Sequence, residues 1–234
     1  MTFFKTSSNP LLSVIIPSRE RTKELIETIN SFIQLANNPN DVEFLIKLDT
    51  DDESMIHNIN LFPGNTKVLV ADRKNGYHDL HLFVNDLCKL SNGDWILLMN
   101  DDAKMVTKDW DLELKNINPY EYNAGFQGNE QVCLINPGSP EKSTTEVFPI
   151  IRRGGYEKLK HFSLHPHNDT WVQEVYEPLN ARIFFPKILI KHFNNEVTDA
   201  TRLHSAKAQE TSFKNWDDYL ELRQKDTAKL KELL

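Results

Sequence analysis

The chain is poor in cysteine, in long apolar runs and in net positive charge, and each shortage narrows what it can be. Its two cysteines, Cys88 and Cys133, fall in no metal-ligand spacing, so a reduced, intracellular chain is the simplest reading. No apolar run approaches the ~20 residues needed to span a bilayer. The start, Met1-Thr2-Phe3-Phe4-Lys5-Thr6, lacks the basic region and long apolar stretch of a signal peptide, which makes a cytoplasmic location the expectation. A net charge of −7 argues against a general nucleic-acid binder, because phosphate backbones are held mainly by Lys and Arg. It leaves room for a small anionic ligand carried on a metal. What remains is an ordinary soluble composition, 39% hydrophobic and 26% charged, in 234 residues, enough for a sizeable core.

The informative stretch is Gly93-Asp94-Trp95-Ile96-Leu97-Leu98-Met99-Asn100-Asp101-Asp102-Ala103. Trp95 to Met99 has the length and bounding of a strand buried on both faces. It ends in an amide and two carboxylates, at the strand edge where open α/β sheets bind ligands. Carboxylates converging on one spot repel unless a hard cation sits between them, and Mg²⁺ or Mn²⁺ is the usual occupant in phosphate-handling sites. A polar turn after a buried strand is the plainer alternative.

The rest of the first half repeats the pattern. Leu11 to Pro17 is a β-branched run closed by proline. Ser18-Arg19-Glu20-Arg21 follows, and Thr22 opens a helix with Leu25, Ile26, Ile29, Phe32 and Ile33 at helical spacing. Val42 to Leu48 is a strand ending in Asp49-Thr50-Asp51-Asp52-Glu53, and Lys67 to Ala71 is a strand ending in Asp72-Arg73. A helix is expected from about Asp79 to Leu90. Strands alternating with helices mean a mostly parallel, doubly wound α/β sheet whose charged loops share one edge. The acidic cluster after the second strand is not an EF-hand, since Ser54 stands at its sixth position and Asn60 at its twelfth. Asp49, at the strand end, is the better ligand-facing candidate.

These residues resemble the GT-A glycosyltransferases, especially the family 2 group. Leu12-Ser13-Val14-Ile15-Ile16-Pro17-Ser18-Arg19-Glu20-Arg21 is similar to that family's opening, and Asn85 followed by Gly93 to Asp102 to its D-x-D stretch. The resemblance covers roughly residues 11–110. It implies a Rossmann-like nucleotide-sugar half (10–110), an acceptor-side half (111–205) and a C-terminal amphipathic helix (206–234) that packs on the domain or makes a homo-oligomer. It also implies that Pro17, Ser18, Arg19, Asp49 and Arg73 hold the nucleoside, with uridine the guess for the base. In the same resemblance Asn100 is a nucleotide-sugar contact, Asp101 lies toward the ribose or metal-bound water, and Asp102 reaches the metal. Asn100 departs from the family's aspartate, and Thr50-Asp51 replaces its Gly-Ser.

The second half is less regular. A short helix is expected near Trp110, a strand around Gln131 to Ile135, and a strand leading into a helix across Phe148 to Tyr156. Gly154 and Gly155 permit close approach to a ligand or a simple turn. In His165-Pro166-His167-Asn168-Asp169-Thr170-Trp171, Asp169 or Asn168 is a natural helix cap. The resemblance makes Asp169 the general base of an inverting enzyme, with His167 the competing base. Ala181 to Phe185 and Ile188 to His192 read as two strands around Pro186-Lys187. His192 matches a late-chain histidine that many GT-A enzymes use on the metal, although a lone histidine is more often simply a polar surface residue. Asp199, Thr201 and Arg202 form a loop suited to closing over a diphosphate.

The expectation is a glycosyltransferase dependent on Mn²⁺ or Mg²⁺, moving a sugar from a nucleotide-diphosphate sugar to a glycan or other hydroxyl acceptor. Two rivals stand beside it. A nucleotidyltransferase would normally carry a Gly-rich loop after the first strand, and Ser18-Arg19-Glu20-Arg21 has none. A catalytically degenerate sugar-nucleotide or glycan-binding module is favoured by Asn100.

Overall fold

The structure, a computed structural model, describes residues 9–141, 147–193 and 219–234. The strands are β1 (Leu12–Pro17), β2 (Val42–Asp49), β3 (Thr66–Ala71), β4 (Trp95–Leu98), β5 (Ala103–Met105), β6 (Leu134–Gly138), β7 (Ile150–Arg152) and β8 (Arg182–His192). The helices are α1 (Thr22–Leu35), α2 (Glu53–His57), α3 (Leu80–Leu90), α4 (Trp110–Lys115), α5 (Arg153–Leu159), α6 (Asn168–Tyr176) and α7 (Leu220–Lys231). The strands join in one sheet in the order β3-β2-β1-β4-β7-β6-β8-β5. Neighbours from β3 to β4 are parallel, as are β6 and β8, while β7 and β5 run antiparallel to theirs. This is the expected α/β architecture.

Every residue of β2 is buried, so its apolar run has no solvent face to alternate with. α1 sets Leu25, Ile29 and Phe32 into the core, where Phe32 meets Phe44 and Trp110 edge-to-face at 6.0 and 5.7 Å. Gly93 is required before β4, because a Cβ there would lie 2.5 Å from the Ser13 backbone nitrogen.

A buried carboxylate secures the turn after α1. Asp111 is fully buried and accepts hydrogen bonds from the Asn37 and Asn38 amides at 2.7 and 3.0 Å. Asp111→Ala leaves both donors without this partner and is expected to cost about 3 kcal/mol, read by urea denaturation. A loss below about 1 kcal/mol would mean that the turn holds without it.

Three sequence expectations change. The two late strands are one, β8, whose first half pairs with β6 and whose last residues pair with β5. Pro186 sits in a bulge of the β6 ladder, between the Phe185 and Leu189 pairs, where no donor is needed from it. The expected Gln131 to Ile135 strand begins instead at Leu134 and runs through Pro137 and Gly138. Leu222 and Leu230 of α7, and Leu233 just after it, pack on the core as expected, but Leu220 is 49% exposed and two charged residues, Arg223 and Asp226, are buried. Arg223 pairs with Glu174 of α6, and Asp226 lies 2.6 Å from His161 Nε2. The helix therefore packs on α5 and α6 of its own chain. Trp216, Asn194 to Glu196, and the loop with Asp199, Thr201 and Arg202 lie outside the described residues.

Candidate active site

The C-terminal ends of β1, β2, β3 and β4 open on one cavity of about 520 Å³. That lies within the ~300–1,000 Å³ typical of small-molecule sites. Pro17, Ser18, Arg19, Asp49, Arg73, Asn100, Asp101, Asp102, Asp169 and His192 all line it, and so does the competing base His167.

At one end, Asp49 closes β2 with its carboxylate set among cations. Arg19 Nη1 donates to Oδ2 at 2.9 Å, the buried Lys47 pairs with Oδ1, and Arg73 Nε stands 3.9 Å from Oδ2. Lys47 Nζ also lies 3.8 Å from the Phe83 ring centroid, a cation–π contact that helps an ammonium tolerate burial. Arg19 additionally forks onto Asp51, and that bond, then its bond to Asp49, keeps the guanidinium firmly charged against its own desolvation.

At the other end, the acidic turn after β4 is held from three sides. Thr28 of α1 donates to the Asp101 carbonyl at 2.8 Å, and Ser18 Oγ donates to Asp101 Oδ2 at 2.7 Å. Arg21 Nη1 lies 3.0 Å from both Asp101 Oδ1 and Asp102 Oδ2. β8 pairs His192 with Ala103, which sets His192 Nε2 3.0 Å from Asp102 Oδ1 and 3.3 Å from Asn100 Nδ2. Burial works against the Asp102 carboxylate, but the His192 hydrogen bond and the nearby charges of His192 and Arg21 outweigh it and hold its pKa below the usual range.

Asp101 is different. Burial pushes its carboxyl up to about 6, against the pull of Arg21 and Ser18. The folded state thus binds this proton more tightly than the unfolded chain does. Stability falls as pH rises from about 4 to about 6, by about 3 kcal/mol, and this contribution is flat above. Asp101→Asn is expected to remove that slope in urea denaturation at stepped pH; an unchanged slope would place the titration elsewhere.

The third wall is the start of α6. Asn85 of α3 accepts from the Phe162 and Ser163 amides at 2.7 and 3.2 Å and donates to the Ser163 carbonyl, fixing the loop that leads to His167 and Asp169. The capping alternative changes here. His167 occupies the N-cap position without capping the helix through its side chain, and Asn168 Nδ2 donates back to the Pro166 carbonyl. Asp169 Oδ1 accepts from the next amide, Thr170, at 2.9 Å. Burial lowers the His167 pKa despite Asp169 beside it. Behind it, His165 stacks on His167 and takes Tyr219 edge-on at 4.6 Å, joining this loop to the C-terminal segment.

No protein-family model and no curated protein sequence matches the chain. Solved structures match its backbone. The mannosyltransferase PcManGT from Pyrobaculum calidifontis, in complex with GDP-Man and Mn²⁺, aligns with a TM-score of 0.63 at 11% identity over 97% of this chain and 74% of that one. S. aureus TarS 1–349 in complex with UDP aligns with a TM-score of 0.56 at 14% identity over 77% of this chain and 60% of that one. The fold is GT-A. The chain spans about 60% of the TarS segment.

Within this GT-A fold, the donor set fits a divalent cation that shares its shell with a substrate. Asp102 offers a carboxylate and His192 an imidazole at the same point, with the Asn100 amide beside them. Among the described residues, no group of three His, Cys, Asp or Glu side chains makes a complete metal cage. One or two protein ligands completed by phosphate oxygens and water is the usual arrangement for Mg²⁺ at phosphate sites.

Other cavity residues escaped the sequence reading. Lys47 was legible, since a lysine inside an apolar strand two residues before Asp49 shares its face. Tyr77 and Phe83 carry no such local signal. Gly154 and Gly155 lie in α5, where the backbone makes room for Gln131 and the Tyr176 hydroxyl rather than for a ligand.

Proposed function

We propose that this chain is a metal-dependent glycosyltransferase that moves a sugar from a nucleotide-diphosphate sugar, with UDP the first candidate, to a hydroxyl acceptor with inversion. The observation that carries the reading is the convergence of Asp49, the Asn100–Asp102 turn, Asp169 and His192 on one cavity. The charge balance supports a metal. Four basic side chains (Arg19, Arg21, Lys47, Arg73) face four carboxylates (Asp49, Asp101, Asp102, Asp169), so a diphosphate gains little net field unless a dication accompanies it.

In this reading Arg19, Asp49 and Arg73 hold the nucleoside, and Asp102 and His192 hold Mn²⁺ or Mg²⁺. A cation bound there supplies Lewis-acid neutralisation of the departing diphosphate. Asp169 takes the proton of the acceptor hydroxyl as that oxygen bonds to the anomeric carbon. The bond from that carbon to the diphosphate oxygen breaks, and the nucleoside diphosphate leaves with the electron pair. The likeness to glycosyltransferases whose structures hold UDP, UDP-GlcNAc or GDP-Man supports the substrate class.

The test is release of nucleoside diphosphate from a panel of UDP- and GDP-hexoses with Mn²⁺, water standing in for the acceptor. Slow release from one donor is expected; none from any donor sinks the reading. Asn100 favours a second reading, a degenerate binding module, which would bind one donor without cleaving it.

A further inference from the structure

Arg19, Lys47 and Arg73 converge on Asp49, whereas Arg21 turns to the metal-side carboxylates. Its Nη1 lies 3.0 Å from Asp102 Oδ2 while His192 Nε2 takes Oδ1, so both Asp102 oxygens already have partners. We propose that Arg21 is a latch: it neutralises Asp102 before a nucleotide binds and transfers to the diphosphate when one arrives. Dication and diphosphate are then taken up together rather than in sequence. The inference rests on reading the cavity as a nucleotide-sugar site.

The argument is one of like charge. A dication brought to Asp102 shares that carboxylate with a guanidinium, in a turn whose Asp101 is only 8% exposed, so water screens the repulsion poorly. Asn100 gives no negative charge to offset it. A diphosphate changes the balance, because its oxygens suit the planar guanidinium fork better than a single shared Nη does. The Arg21 side chain is 24% exposed and lines the cavity, so it reaches such a ligand by rotation rather than by refolding.

Electron paramagnetic resonance of free Mn²⁺ tests this, in titrations of the wild type, Arg21→Gln and Arg21→Lys, each shown by circular dichroism to be folded. With Mn²⁺ alone, Arg21→Gln is expected to bind at least about tenfold more tightly than the wild type. Arg21→Lys, which keeps the charge, is expected to stay as weak as the wild type. With UDP or GDP added, the wild type is expected to take up Mn²⁺ and Arg21→Gln to gain less from the nucleotide. Equal binding of Mn²⁺ alone by wild type and Arg21→Gln, or none by either, overturns the latch and leaves the transferase reading intact. Failure of every nucleotide to promote Mn²⁺ uptake by the wild type overturns the transferase reading beneath it.

Discussion

Asp102→Ala is expected to lower sugar transfer roughly a thousandfold, equivalent to about 4 kcal/mol of transition-state stabilisation. Asp102 is the point at which His192, Arg21 and the acidic turn meet. Without its carboxylate the cation site retains an imidazole and an amide, too little to hold Mn²⁺ or Mg²⁺ against water. Donor turnover at increasing Mn²⁺ separates the causes. A site that has lost its ligand stays inactive at all accessible concentrations, whereas one that is merely weakened recovers. Asp102→Asn keeps the shape and one of the two acceptor oxygens, and is expected to lose nearly as much. If Asp102→Asn stays within about tenfold of wild type, the carboxylate is not the metal ligand.

Asp169→Asn is expected to give the second large loss, of about 10²–10⁴ in kcat, with affinity for the nucleoside diphosphate unchanged. The side chains are nearly isosteric and the Thr170 amide keeps its acceptor, so the start of α6 should not move. The split between kcat and binding is the diagnostic, because a merely structural role would disturb both. His167 is the alternative base on the same wall, with a pKa that burial has lowered, and paired substitutions distinguish them. Asp169→Asn remaining within tenfold of wild type, with His167→Gln inactive, would transfer the role.

Local signals explain why the first half was legible and the second was not. α1 runs from Thr22 to Leu35 because the run from Leu25 to Ile33 is strongly periodic and a clear breaker follows it. β1, β2 and β4 are apolar runs ending in charge, and parallel strands of that kind deliver their ends to one edge whatever their order in the sheet. The candidate site was therefore readable as a list of strand ends. Its internal bonding was not. Arg21 reaches across eighty residues to Asp101, and Ser18, expected on the nucleoside, donates to the same carboxylate. Neither pairing leaves a mark on the residues next to it in sequence. The buried charges of α7 were missed for the same reason: Arg223 and Asp226 meet Glu174 and His161, some fifty to sixty-five residues earlier. β8 was divided at Pro186 because proline normally stops a strand, and the bulge in its ladder with β6 is what accommodates it there.

The most direct test of the central claim, that this cavity holds a nucleoside diphosphate against a divalent cation, is the melting temperature of the wild-type chain with UDP, GDP, CDP or ADP, with and without Mn²⁺. A ligand at a hundred times its Kd adds about 2.7 kcal/mol to stability. For a domain of this size that is a rise of roughly 5–10 °C. The account predicts such a rise for one nucleotide, only with Mn²⁺ present, and its loss in Asp102→Ala. Melting temperatures that no nucleotide moves, with or without Mn²⁺, would contradict it.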